Sequence, residues 1–353
     1  MLTGREEALN RVMERIRREC KGPVLDALED PDIAEVMRNP DGKVWVWSLT
    51  RGIVDTGYVM PQSQSRSMLE TTASLLGTTL TEDNPILEGE FPLDGSRLEG
   101  LIYPVVASDT FSVRKASVKI FSLESYRDSG VLPAGKLRGP QHQLRSSTTW
   151  PSAYHCIRAA IGGYKNILVV GGTGSGKTTF INACFASLHE QCPNDRLIVI
   201  EDTREVQITM PNRVLMRSSE RVPMDRLLKA SLRLNPTRIA VGEVRSGEAF
   251  TLMKAWSTGH PGGMCTVHSD SAADGLNIFL TRCFEHEKAG NLTQEMMGRM
   301  IASTVDYVVV IEKTGGGTGR LITELAEVVG YEHGKFVVKP VDIAEAGDEM
   351  QAA

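Results

Sequence analysis

The run Gly171-Gly172-Thr173-Gly174-Ser175-Gly176-Lys177-Thr178-Thr179 constrains this chain more than any other segment. It fits G-x(4)-G-K-[ST]. The apolar stretch NILVV precedes it, and KTTFINACFASLH follows with Phe180, Ile181, Cys184, Phe185 and Leu188 on one helical face. Strand, glycine loop and helix in that order form a phosphate cradle. Glycines let backbone N–H groups close around oxygens, and the helix N-terminus adds positive potential. The spacing predicts a nucleoside triphosphate site in which Lys177 reaches the β- and γ-phosphates and Thr178 ligates Mg²⁺.

Around this motif the chain has the texture of an α/β fold. Short apolar runs at Ile167–Val170, Leu197–Ile200, Ile239–Val241, Met264–Val267 and Tyr307–Ile311 are mostly separated by helical patterns, which predicts a parallel sheet covered on both faces. The first part reads differently. An amphipathic helix over residues 5–20 precedes an N-P-D-G turn that feeds a strand Lys43–Trp47, paired with Gly52–Tyr58. A helix Gln62–Leu76 and strands Glu99–Val105 and Thr110–Ala116 complete a small α+β domain. The aperiodic GVLPAGKLRGPQHQLRSS marks a linker. The resulting division is 1–130, linker 131–150, and 151–353.

Composition narrows the classes. Lys+Arg 39 against Asp+Glu 44 gives a net charge of −5, which argues against holding nucleic acid by whole-molecule charge. No apolar run approaches the roughly 18–20 residues of a membrane span, and the charged N-terminal segment is unlike a secretory signal, so a cytoplasmic location is expected. Six cysteines without a C-x-x-C pair read as small buried hydrophobes, and seven histidines without H-x(3–5)-H spacing indicate no zinc.

Three polar clusters follow other predicted strands: Glu201-Asp202-Thr203-Arg204-Glu205, Glu243-Val244-Arg245 and His268-Ser269-Asp270. Ligands of open parallel sheets bind outside the carboxyl ends of the strands, so the clusters and the glycine loop are expected to converge on one edge. Glu243 occupies the place of a Walker B acid, holding Mg²⁺ through water or polarising the attacking water. Glu201, Asp202 and Glu205 compete for a second acidic role, against the plain alternative of a paired structural carboxylate. His268 is a candidate γ-phosphate donor, Arg245 either a phosphate contact or the partner of an acid, and His260 either a loop hinge or a structural group.

The phosphate loop GGTGSGKTT, the acidic box VIEDTREV, the strand ending GEVR and the histidine box STGHPGGMCTVHSDSA together resemble the secretion and traffic ATPases of type II and type IV secretion, type IV pili and conjugal transfer. NPDGKVWV, PLDGSRLEGLIYPVV and FSVRK in the first half are similar to the conjugal-transfer (TrbB-like) branch, and the four-cysteine insert usual in the type II branch is absent. The resemblance implies a homohexameric ring with an N-terminal domain and a RecA-like ATPase domain, and nucleotide between them. It also implies peripheral association with inner-membrane components of a bacterial apparatus; the net charge of −5 and the lack of an aromatic-basic groove are the reasons no sequence-specific nucleic-acid binding is expected. Arg97 and Arg114 match places where family members aim arginines at the phosphates; read alone, they are strand-flanking arginines. The leading expectation is an ATP-driven motor. The alternatives are a nucleotide-gated scaffold, a pilus-type motor and a nucleic-acid translocase on the same core. A GTPase is disfavoured because no N-K-x-D element occurs. TGGGTGR, lacking a following Lys-Ser/Thr, is expected to be a hairpin loop.

Overall fold

A computed structural model describes residues 4–115, 120–133, 148–219, 221–314 and 319–344. The chain divides into two compact units, Met1–Val118 and Lys119–Ala353. Most of the expected linker, residues 134–147, lies outside the described residues, as do 315–318 within TGGGTGR.

In the first unit, helices α1 (Gly4–Glu19) and α2 (Pro23–Glu29) precede strands β1 (Ile33–Arg38), β2 (Lys43–Ser48) and β3 (Gly52–Val59). Helix α3 (Gln62–Leu75) and strands β4 (Ile86–Glu90), β5 (Arg97–Leu101) and β6 (Thr110–Arg114) follow. The sheet is antiparallel throughout, in the order β3-β2-β1-β6-β5-β4. The N-P-D-G turn joins β2 to β1, a strand the sequence reading missed, and Gly42 takes the positive φ of 85° that this reversal needs. Val36, Val46, Leu98 and Val113 pack with Ile16 of α1 and Met68 of α3. Strand alternation sends Arg97 and Arg114 to the other face, where the register sets them directly opposite one another.

The second unit begins with α4 (Leu123–Asp128), β7 (Thr149–Trp150), α5 (Ala153–Gly162), β8 (Ile167–Val170) and α6 (Lys177–Gln191). It continues through β9 (Leu197–Glu201), β10 (Arg213–Arg217), α7 (Met224–Ser231), β11 (Arg238–Val241), α8 (Glu248–Ser257) and β12 (Met264–Val267). Then come α9 (Ala272–Phe284), α10 (Gln294–Ala302), β13 (Tyr307–Thr314), β14 (Gly319–Glu332), β15 (Lys335–Pro340) and β16 (Asp342–Ile343). The main sheet runs β10-β9-β11-β12-β8-β13-β14-β15, parallel from β10 to β13 and antiparallel beyond. Its central strands are apolar on both faces because both are covered. Leu168 and Val170 enter the core shared with α8 and α9, whereas Ile167 and Val169 enter the one shared with α5 and α6. Helix α4 joins that second core through Leu123 and Tyr126, whose ring lies 5.5 Å from Phe180. β7 and β16 form a separate parallel pair. Among the described residues no helix is long and apolar enough to cross a membrane. All six cysteines are free and five are buried; burial pushes the Cys156 thiol up to about 12.

The amino ends of the central strands are tied by a buried cation. Arg238, with no exposed surface, pairs with Asp195 at 2.6 Å, donates to the carbonyls of Ile161 and Gly262, and lies 3.9 Å from the Tyr164 ring centroid. Removing the counter-charge strands a cation in a dry site. Asp195→Ala is expected to lower the unfolding free energy by about 3–5 kcal/mol in urea denaturation, with Arg238 still in place.

Candidate nucleotide site

Strands β9, β11, β12 and β8 are consecutive in the sheet and parallel, so their carboxyl ends line up at roughly 4.8 Å spacing. The four motif segments leave from those ends and do meet there.

The glycine loop turns through left-handed conformations at Gly174 (φ 65°) and Gly176 (φ 99°), the latter capping α6. A side chain at Gly171 would strike the Ile311 carbonyl and the Ser175 hydroxyl. Lys177 opens α6 and is 7% exposed. Its Nζ donates to the carbonyls of Gly171 (2.8 Å) and Gly172 (3.1 Å) and lies 3.1 Å from His268 Nδ1. His268 Nε2 lies 2.9 Å from Glu243 Oε1. A neutral imidazole protonated on Nε2 satisfies both contacts, accepting from lysine and donating to glutamate. Arg245 donates to the other oxygen of Glu243 at 2.8 Å and also pairs with Asp202. Lys177, His268, Glu243, Arg245 and Asp202 thus form one continuous chain across four strand ends.

The charges follow. Burial pushes the Glu243 carboxyl upward, but the hydrogen bond and charge of Arg245, together with the Lys177 charge, outweigh it and hold the group below its ordinary 4.5. The Arg245 guanidinium is raised, chiefly by its bond to Glu243. Glu201 moves the other way. Burial lifts it, and the backbone N–H groups of Glu205 (3.0 Å) and Val206 (2.9 Å), which its Oε2 accepts, only partly oppose that.

Those two bonds fold the acid loop around Glu201 and leave Glu205 to reach Thr178, whose hydroxyl donates to Oε2 at 2.9 Å. A shallow pocket lies here, lined by Thr178, Asp202, Glu205, Gly242, Glu243 and Arg245. Of the remaining loop positions, Thr173 is exposed and Gly172 and Thr179 are half-buried. His260 stands apart: its Nδ1 contacts the Pro236 carbonyl, and all of β12, about 13 Å at 3.3 Å per residue, separates it from His268. Arg97 and Arg114 belong to the first unit.

Two residues escaped the sequence reading. Asn182 bonds the acid-loop backbone from α6, and Glu248, 9% exposed, accepts the N–H groups of Arg245 (2.6 Å) and Ser246 (2.9 Å), fixing the turn after Glu243. The available signal for Asn182 was a polar residue four positions after Thr178, set between the apolar Ile181 and Ala183; for Glu248, an acid in the first turn of α8.

The residues fit a phosphate-bearing ligand with a divalent cation. Ser175 is 2% exposed and its hydroxyl oxygen has no hydrogen-bond partner, an unmet demand inside the loop. Beside it stand an ammonium group, the amino end of α6, a hydroxyl and two carboxylates, which is the donor and acceptor set such a ligand requires.

Residues 149–314 match the profile of a family described as Type II/IV secretion system protein. The "Probable conjugal transfer protein TrbB" of Sinorhizobium fredii is 35% identical, over 97% of this chain and 98% of that protein. The "Type IV secretion system protein PtlH" of Bordetella pertussis is 30% identical, over 84% and 91%. The fold is shared with the Yersinia pseudotuberculosis ATPase DotB, with a TM-score of 0.57 at 14% identity, covering 92% of this chain and 79% of that one.

Proposed function

Because this chain belongs to the type II/IV secretion system protein family, we propose that it hydrolyses ATP on a RecA-like P-loop domain to power a type IV secretion or conjugal transfer apparatus. The observation that carries this reading is the unbroken chain from Lys177 through His268, Glu243 and Arg245 to Asp202, which joins the phosphate-binding lysine to the acids.

In this reading the loop N–H groups of Gly171–Gly176 and the Ser175 hydroxyl hold the phosphates, and Lys177 exchanges its own loop carbonyls for β- and γ-phosphate oxygens. Thr178 and Glu243 hold Mg²⁺, which supplies charge neutralisation and orientation of the phosphates. Glu243, kept ionised by Arg245, accepts a hydrogen bond from the attacking water, and His268, donating to Oε1, orients the carboxylate. Arg97 and Arg114 stand opposite one another in the β5–β6 register, with Glu90 and Glu35 opposite them on the outer sides, and offer two guanidinium groups to phosphate. The working unit is a homohexamer, docked peripherally on inner-membrane components of the apparatus.

The test is phosphate release by the purified chain with ATP, in Mg²⁺ and in EDTA, alongside sedimentation with and without nucleotide. The expected result is release that needs both ATP and Mg²⁺, from a particle of six-chain mass. A mass shift without turnover would instead mark a nucleotide-gated scaffold, and neither change would reject the site.

A further inference from the structure

The acid loop is fastened to the phosphate helix by a side chain that no motif includes. Asn182 lies on α6 one turn beyond Thr178, on the same face, and is 1% exposed. Its amide is used at both ends. Nδ2 donates to the carbonyl of Glu205 at 3.2 Å, and Oδ1 accepts the N–H of Gln207 at 2.9 Å. Glu201 holds the same residue from the other direction, accepting the Glu205 N–H at 3.0 Å. The backbone of Glu205 is therefore fixed at both its N–H and its C=O, and its side chain meets the Thr178 hydroxyl at 2.9 Å.

A buried amide that satisfies two backbone groups of a loop specifies where that loop sits, since any slip leaves polar groups unpaired in a dry place. We propose that Asn182 is a positioning residue: it registers the acid loop against α6 so that Glu205 meets Thr178, and so sets the site of the divalent cation that accompanies the nucleotide. The inference rests on the Mg·ATP reading above and deepens it. α6 then carries both the cation-binding hydroxyl and, one turn on, the device that brings the second carboxylate to it.

The experiment reads metal binding directly. Retention of Mn²⁺ by the ADP-loaded chain is followed by electron paramagnetic resonance, and nucleotide affinity is measured separately in EDTA. Asn182→Leu removes both bonds at similar volume. Asn182→Asp keeps the acceptor for Gln207 and, when ionised, turns a charged oxygen toward the Glu205 carbonyl in place of the donor, so it serves if the leucine variant folds poorly. Both variants are expected to weaken Mn²⁺ retention about tenfold or more, the usual effect of losing an outer-shell support, with metal-free nucleotide affinity unchanged. Ser187→Ala removes the buried hydroxyl that Gln191 donates to on the same helix, away from the acid loop, and is expected to move neither reading. Wild-type Mn²⁺ retention in both Asn182 variants overturns the proposal, as does an equal loss of metal-free nucleotide. A wild-type chain that binds neither nucleotide nor Mn²⁺ overturns the site reading itself.

Discussion

The Lys177→Ala chain is expected to lose ATP turnover by about 10²–10³-fold, the usual effect of deleting one preorganised charge from a phosphoryl-transfer site. The structure adds a reason to expect the upper part of that range. Lys177 is buried, and its ammonium is committed to the carbonyls of Gly171 and Gly172 and to His268. Truncation deletes a cation that the loop already holds in place before nucleotide arrives. Nucleotide affinity is expected to fall along with turnover, because the same ammonium serves ground state and transition state. Lys177→Arg is not a conservative control, since a planar fork does not fit a pocket shaped for a point charge. Phosphate release by Lys177→Ala at the wild-type rate would remove the glycine loop from the chemistry altogether.

Much of this site was legible in the sequence because its parts have strong local signatures. Runs such as ILVV and MCTV can be buried on both faces only in a covered parallel sheet, and a polar cluster just after each run must then emerge at a strand end. What the sequence hid were relations between segments. β1 carries Glu35 and Arg38 in six residues and so lacks clean alternation, yet it is the inner partner of β2. β10 is an edge strand with Arg213, Leu215 and Arg217 exposed, a pattern too polar to stand out beside the central strands. Helix α4 has six residues, too short for a period, and its place in the second unit is set by Leu123 and Tyr126 packing toward Phe180. Among the acids, spacing offered Glu201, Asp202 and Glu205 on equal terms. Only the backbone bonds accepted by Glu201 separate a group that shapes the loop from one that reaches Thr178.

That separation gives Glu243 the largest expected effect among the carboxylates. Its two oxygens have different partners, His268 on one and Arg245 on the other, and the side chain is mostly buried while remaining ionised. Glu243→Gln preserves size but offers a single carbonyl oxygen to two donors. Either His268 or Arg245 is left facing an amide N–H, and the negative charge that would draw a proton from the attacking water is gone. Turnover is expected to fall about 10²–10⁴-fold, the range for loss of a general base. Metal-free nucleotide affinity, by contrast, should hold or tighten, because removing a carboxylate from beside bound phosphates relieves repulsion. The two outcomes separate the roles of the two residues: Lys177→Ala loses affinity and rate together, whereas Glu243→Gln keeps ATP and does not cleave it. Single-turnover hydrolysis on pre-bound ATP, with affinity measured in parallel, distinguishes them. Near-normal single-turnover cleavage by Glu243→Gln would move the catalytic role to another carboxylate, and the geometry names Glu205, already in contact with Thr178, as the next to substitute.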